Sequence, residues 1–339
     1  MSLKFVELKI KGYDRVVHAT NEITKLDCII AIHNTRLGPS LGGVRSWVYN
    51  NLEDQKEDAL RLSEAMTLKN SLCGIDFGGG KASLNIKGII KTPDLYKSYA
   101  EAVELLKGSY LTAGDVGTCK EDLIQCSKVT QYVYGINVET SAPTSKGLFN
   151  SIKSTYNFIN KKKDLTKAHI AISGVGKVGG KLAKLLFING AKISASSINK
   201  ELLYELKKEI DFTMVNPENL FQTNCDIVSP CALGKAINIK NRNQLKCAAI
   251  VGAANNQLDS TETAKWLFNN KIVYSPDYLV NSGGVIAIAA EISKRENLID
   301  QHLNEISSRL ESVLLESKEN NIPTDFVAKR IALERINNS

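Results

Sequence analysis

The sequence predicts an α/β fold in two domains, and three observations carry the prediction. The chain has 339 residues, and at roughly 100–200 residues per domain two domains are expected. Its first fifty residues read as short strands, whereas beyond about residue 140 apolar strands alternate with helices, the pattern of a mostly parallel sheet covered by helices. Hydrophobic residues make up 43% and charged residues 23%, the balance of a globular protein rather than a disordered chain.

Taken in order, Phe5–Ile10 and Arg15–Ala19 are alternating runs joined by Gly12-Tyr13-Asp14, a hairpin signal. Cys28–His33 is a longer apolar strand, and Leu37–Gly43 is too rich in glycine for a helix interior. From Glu53 to Asn70 acids come early and basic residues late, which suits the helix dipole, and Ala59, Leu62, Ala65 and Met66 share one helical face. Gly78–Gly80 reads as a loop, followed by a strand near Ala82–Ile86, a helix over Pro93–Lys107 and a strand over Tyr110–Ala113. Then come a helix near Ser145–Phe158, a strand over His169–Ser173, a helix over Lys177–Ile188 and a strand over Ala191–Ser197. Later strands are expected at Asp226–Val228, Ala249–Gly252 and Ile272–Tyr274, with helices from about Val285 onward.

Several function classes are disfavoured. No apolar stretch reaches the ~18 residues of a membrane helix, and the start, Met1–Ile10, lacks the basic-then-apolar pattern of a secretory signal. Net charge is +7, with lysines scattered among acids. The one tight run, Lys161-Lys162-Lys163, reads as a solvated loop rather than a nucleic-acid patch. The seven cysteines (Cys28, Cys73, Cys119, Cys126, Cys225, Cys231, Cys247) include no C-x-x-C pair. Buried free thiols in a reducing cytosol are expected, with neither a disulfide framework nor a zinc site. The four histidines, His18, His33, His169 and His302, are far apart and form no metal motif.

The strongest chemical signal is Gly174-Val175-Gly176-Lys177-Val178-Gly179, a G-x-G-x-x-G run between the apolar strand and the following helix. There the first glycine makes a tight turn, the second admits a pyrophosphate to the helix N-terminus, and the third allows close helix–strand packing. This predicts dinucleotide binding. The carboxylate expected about 20 residues later to chelate the ribose hydroxyls of NAD is absent: the second strand ends in Ser197, with Asn199 and Lys200 beyond. NAD is the expected cofactor, with NADP not excluded: without a carboxylate to repel the 2′-phosphate, and with Lys200 nearby, selectivity is expected to be relaxed toward NADP or even to favour it. Gly78–Gly80 with Lys81 is not a phosphate-binding P-loop, because Ile75 and Ala82 stand where glycine and Ser or Thr are required.

Two lysines and an aspartate stand out. Lys69 lies three residues after Met66 and seven after Leu62, at a spacing that brings it onto the apolar helix face, where a cation needs an anionic partner. Lys81 follows three glycines that let a ligand come close, and in a dry cleft beside another cation it could serve as a general base. Asp115 sits in a glycine-rich segment just past a strand, a position suited to proton relay or to a turn cap.

Together these pieces resemble the amino acid dehydrogenase superfamily of glutamate, leucine, phenylalanine and valine dehydrogenases, with the leucine branch most similar. The matching segments are Leu37–Arg45, Asp58–Leu62, Met66–Asn70, Gly78–Lys81, Asp115–Thr118, the glycine loop, Asp226–Gly234, Ala253–Leu258 and Ser275–Gly284, in family order. The resemblance implies an N-terminal substrate-binding domain with a mixed sheet (residues 1–140), a Rossmann-type doubly wound dinucleotide-binding domain (141–318) and a C-terminal helix (319–339) that returns to the first.

It further implies that Lys69 holds the substrate carboxylate, that Lys81 is the general base and that Asp115 assists proton transfer. Leu41, Gly42, Met66, Ala113 and Val285 would line the substrate site. Thr144, Ala253, Asn255 and Asn256 would lie by the nicotinamide and substrate. The implied reaction is reversible oxidative deamination of an L-amino acid to its 2-oxo acid and ammonia, by a cytoplasmic homo-oligomer without nucleic-acid or membrane partners. The aliphatic pocket positions fit a branched-chain side chain, although phenylalanine and tryptophan dehydrogenases share most motifs. A non-catalytic dinucleotide-binding regulator is the rival reading, and retention of both lysines and Asp115 argues against it. Three positions depart from the leucine branch: Ser197 for an acid, Gly114 for Glu and Ser282 for Ala.

Overall fold

The computed structural model describes residues 3–162, 164–232 and 234–339. Met1 and Ser2 of the start, Lys163 of the lysine run and Leu233 of the Asp226–Gly234 segment lie outside the described residues. The chain divides into two units. The first comprises Met1–Val138, Glu291–Lys294 and Ala332–Ser339; the second comprises Glu139–Ala290 and Arg295–Ile331. The C-terminal residues that join the first unit are therefore the last eight, while 319–331 stay with the second.

The first unit is built on strands β1 (Lys4–Glu7), β2 (Arg15–Asn21), β3 (Leu26–Asn34), β4 (Ser40–Trp47), β5 (Gly78–Asn85) and β6 (Tyr110–Gly114), in the spatial order β1-β2-β3-β5-β4-β6. Antiparallel pairing runs from β1 through β3 to β5, and β5, β4 and β6 are parallel. The sheet is thus mixed. Side chains alternate across it. Val17, Ile30, Val44 and Leu84 face α2 (Pro93–Glu104) with its Leu95, Tyr96 and Tyr99; Val16, Ile29 and Ala31 face Ala59 of α1 (Leu52–Leu72). A further helix, α3 (Lys120–Ser127), packs on α2.

The segment Leu37–Gly43 is not helical, as expected, and runs straight into β4. Two expectations are corrected here. Gly78–Gly80 is not a loop but the first three residues of β5, all buried. The reason is crowding: a Cβ on Gly78 would strike the carbonyl of Asn34, one on Gly79 would strike Thr67 of α1, and one on Gly80 would come within 2.7 Å of the Tyr110 ring. Finally, α1 does not bury the stripe of Ala65 and Met66. It buries Gln55, Ala59, Leu62, Ser63, Thr67 and Asn70, and Ala65, Met66 and Lys69 lie half-buried at the margin. Small hydroxylated residues let the helix settle onto the glycines of β5. Their own hydroxyls bond within the helix, Ser63 to the Leu60 carbonyl and Thr67 to that of Ser63. The helix starts where the Asn51 side chain accepts the Asp54 N–H at 2.8 Å.

The second unit holds β7 (His169–Ser173), β8 (Lys192–Ser196), β9 (Thr213–Met214), β10 (Cys225–Pro230), β11 (Cys247–Ile250) and β12 (Val273–Tyr274), all parallel, in the order β12-β11-β10-β7-β8-β9. This is the doubly wound order, with its switch point between β7 and β10, where ligands bind beyond the carboxyl ends of the strands. Helices α4 (Ser141–Asn160), α5 (Lys177–Ile188), α6 (Lys200–Glu209), α7 (Thr261–Asn269), α8 (Asp277–Val280), α9 (Gly283–Ser293), α10 (Ile299–Asn320) and α11 (Thr324–Asn337) complete the chain. Residues of α9 and α11 are divided between the two units. Within the second unit Gly147 of α4 lets α10 approach, since a Cβ there would meet Ile306 at 2.9 Å.

In the first unit the end of α1 is braced by the chain's last residues. The Ser71 hydroxyl donates to the Ala332 carbonyl at 2.7 Å, and Arg335 donates to the carbonyls of Ser71 and Ile75 and pairs with Asp76. None of the seven cysteines is joined in a disulfide. The expectation of burial holds for Cys28, Cys73 and Cys126; Cys225, Cys231 and Cys247 are half-buried, and Cys119 is exposed as the N-cap residue of α3. Among the described residues no helix is long and apolar enough to cross a membrane, and no cluster of His, Cys, Asp or Glu could hold a metal ion.

Candidate active site

The chemistry of the first unit gathers on the face of the sheet that α1 covers. Register places Gly79 beside Leu41 and Ala82 beside Val44, so Lys81 lies next to Gly43, and Gly43 in turn lies next to Ala113. With no side chain on Gly43, the lysine reaches across β4 to the residue just past β6. Lys81 Nζ lies 2.9 Å from Asp115 Oδ2. A Cβ on Gly43 would come 3.0 Å from that of Asp115. Lys81 is 6% exposed. Burial alone would push the Asp115 carboxyl up, but the adjacent charges of Lys81 and Arg45 outweigh it and hold the group well below the usual carboxylate range.

Lys69 occupies the last turn of α1, half-buried. Its neighbour Asn70 fixes that turn by donating to the carbonyls of Gly78 at 2.6 Å and Leu41 at 3.3 Å. Leu41 and Ala113 are buried on the α1-facing side of β4 and β6, and Met66 is half-buried. Gly42 contributes closeness rather than lining, because a Cβ there would run into the carbonyl of Gly80.

Sequence reasoning did not single out Arg45, which donates from Nε to the same Asp115 Oδ2 at 3.0 Å and from Nη1 to Asp58 at 3.2 Å. Its partners are 70 and 13 residues away in sequence. The available signal was its place at the end of the Leu37–Arg45 segment.

In the second unit the glycine run forms the turn from β7 into α5. Gly174 has φ +96°, and a Cβ there would press on Ala232 at 2.9 Å. Gly176 stands at the N-cap with no capping side chain and open space where a Cβ would be. Gly179 packs against Gly174, and the Ser145 hydroxyl bonds the Val178 carbonyl at 3.0 Å. The twelve-residue helix therefore presents unshielded N–H groups, with Lys177 exposed beside them. These residues fit a pyrophosphate.

The Gly174 N–H bonds the Ser196 carbonyl, tying the turn to the end of β8, where Ser197 follows half-buried. The Asn199 side chain is engaged in capping α6 through the N–H groups of Glu201 and Leu202. Ala253 and Asn255 form one loop with Asn256, which has φ +50°. Asn281, which sequence reasoning left out of the site, holds this loop: its amide donates to the Ala253 carbonyl and to Asn255 Oδ1 at 3.0 Å, while its own Oδ1 is buried without a partner. Thr144 is buried in α4, its hydroxyl on the Thr140 carbonyl, and Gly284 lies against it. Val285, at the start of α9, is half-buried.

A buried lysine–aspartate pair in a mixed-sheet unit, joined in one chain to a uniformly parallel unit with an open glycine turn, defines an α/β oxidoreductase of the dinucleotide-dependent kind. Residues 135–336 match the family described as Glutamate/Leucine/Phenylalanine/Valine dehydrogenase, and residues 7–131 match the Glu/Leu/Phe/Val dehydrogenase dimerisation domain. Leucine dehydrogenase of Geobacillus stearothermophilus is 36% identical over 98% of this chain and 93% of its own. Phenylalanine dehydrogenase of Lysinibacillus sphaericus is 37% identical over 84% of this chain and 78% of its own. The crystal structure of L-tryptophan dehydrogenase from Nostoc punctiforme superposes with a TM-score of 0.87 at 33% identity, covering 96% of each chain. The chain belongs to the glutamate/leucine/phenylalanine/valine dehydrogenase family. It is an amino acid dehydrogenase, an NAD(P)-dependent oxidoreductase acting on a CH–NH2 group.

Proposed function

We propose that the protein catalyses reversible oxidative deamination of L-leucine or another branched-chain L-amino acid to the 2-oxo acid and ammonia, with Lys81 as general base, Asp115 as its proton partner and Lys69 as the anchor of the substrate carboxylate. The observation that carries this reading is the Lys81–Asp115 pair, 2.9 Å apart and shielded from solvent.

A bound nicotinamide would supply the acceptor for the hydride leaving Cα. Lys69 fixes the carboxylate and so orients Cα, which removes much of the entropic barrier. The loss of hydride leaves an iminium carbon on the substrate. Lys81 takes a proton from water as it adds to that carbon and, with Asp115, passes it to the amino nitrogen; Lys81 then accepts the hydroxyl proton as the C–N bond breaks, so ammonia leaves as the carbonyl forms. Leu41 and Ala113 offer apolar surface to an aliphatic side chain, and no lysine lies on β4 or β6 to meet a second carboxylate. Gly174, Gly176, Lys177, Val178 and Gly179 would hold the pyrophosphate, and Thr144, Ala253, Asn255 and Asn256 the nicotinamide end. NAD serves as cofactor, and Ser197 also admits the 2′-phosphate of NADP. The dimerisation domain of the family supports a homo-oligomer.

The deciding assay follows NADH and NADPH consumption with ammonia and a panel of 2-oxo acids. Fastest turnover with 4-methyl-2-oxopentanoate is expected. Preference for an aromatic oxo acid would move the protein to the phenylalanine or tryptophan branch, and no turnover with any would leave a dinucleotide-binding regulator.

A further inference from the structure

Asp115 is shared between two cations. Lys81 Nζ and Arg45 Nε converge on the same oxygen, Oδ2, at 2.9 and 3.0 Å. Behind Arg45 stands Asp58, which it meets through Nη1 at 3.2 Å and which also accepts from the Tyr49 hydroxyl and from Arg61, each at 2.8 Å. The charges therefore alternate along one line, Lys81, Asp115, Arg45, Asp58, Arg61, from a lysine side chain 7% exposed to an arginine 53% exposed. Lys81, Asp115 and Arg45 are fixed by β5, the end of β6 and β4, and Asp58 and Arg61 by α1. The other titratable groups on these elements are Glu53, Asp54, Lys56, Glu57, Glu64 and Lys69 of α1, and Tyr110 of β6, whose ring packs on the opposite face of the sheet with α2.

We propose that Arg45 is a positioning residue that governs proton exchange at Lys81, by claiming Asp115 so that the carboxylate cannot lock the lysine into a permanent ion pair. The inference rests on the role proposed for Lys81 above. A carboxylate facing a single ammonium at 2.9 Å stabilises the charged lysine and opposes its action as a base. A guanidinium on the same oxygen divides that attraction and adds repulsion of its own, without ever giving up a proton. Asp58 tempers the guanidinium from the far side, so the two residues work in opposite directions.

The test is the pH dependence of kcat/KM for the preferred amino acid in the full-length protein, with thermal unfolding measured alongside. In Arg45→Gln the acid limb moves to higher pH by about one unit, so that turnover on that limb falls about tenfold and recovers in more alkaline buffer. In Asp58→Asn the limb moves the other way by less. Arg45→Lys falls between wild type and Arg45→Gln, because a single ammonium cannot bridge both carboxylates in the plane of a guanidinium. Should Arg45→Gln fail to fold, the opposed movements in Arg45→Lys and Asp58→Asn carry the test. An equal loss of activity at every pH in these variants, with the limb unmoved, overturns the inference and leaves Arg45 a structural brace. A wild-type protein inactive on every substrate overturns the catalytic reading, and this inference falls with it.

Discussion

The two units each contain a glycine-rich run followed by a lysine, and the two runs do opposite things. Gly78–Gly80 lies inside a strand with every Cβ position already taken by a neighbour, whereas Gly176 looks onto empty space. In the first unit glycine serves packing: it brings α1 and the flanking strands so close that Lys81 emerges among backbone and must reach over Gly43 to its partner. In the second it leaves a helix end uncovered for an anion. Similar letters thus encode a closed floor and an open door, and only the neighbours tell them apart.

The comparison yields its largest effect at the lysine of the closed floor. Lys81→Ala is expected to fold, since Arg45 still pairs with Asp115, and to lose roughly 10³-fold in kcat, within the usual range for a general base; turnover close to wild type in a stopped-flow or steady-state assay would refute the role. The two glycines themselves come next. Gly79→Ala forces a methyl group into Thr67 and is expected to cost about 3 kcal/mol in denaturant unfolding, at the upper end of overpacking. Gly176→Ala should stay within about 0.5 kcal/mol of wild type while weakening dinucleotide binding in calorimetry. Equal stability of the two variants would erase the distinction.

A third measurement separates the units by pH. Burial, and then the neighbouring charge of Asp277, raise the Asp325 carboxyl from 3.8 to about 6, against a smaller opposing effect of the Tyr278 hydroxyl. The folded protein therefore holds this proton more tightly than the unfolded chain. Stability is fully present below about pH 4 and is lost as pH rises through 6, by about 2 kcal/mol after allowing for partial exposure. Asp325→Asn should flatten that decline in pH-dependent unfolding; an unchanged slope would place its origin elsewhere. A smaller loss than that of Gly79→Ala belongs to α1: Asn51→Ala removes the cap and should lower stability by about 1 kcal/mol, seen in the transition of the first unit alone if the units unfold separately.

Legibility in the sequence followed the range of the interactions. The ends of β7 and α5 coincide with the expected ones, because an apolar strand, a glycine turn and an amphipathic helix are local patterns. The strand identity of Gly78–Gly80 was invisible, since it depends on Asn34, Thr67 and Tyr110 arriving from elsewhere. The buried face of α1 was misread for the same reason: Ser63, Thr67 and Asn70 look like solvent-facing residues until one knows that the opposing surface is glycine. At the site, both lysines and Asp115 stood out by context, but Arg45 and Asn281 act through partners 70 and 26 residues distant, and nothing local announces such a contact.

The brace formed by Arg335 and Ala332 on the last turn of α1 bears on how the protein should be handled at the bench. Removing residues 332–339, or inserting a bulky reporter among them, would disturb the seat of Lys69. The damage would surface as poor affinity for the amino acid, and a kineticist unaware of the clasp would blame the wrong end of the molecule.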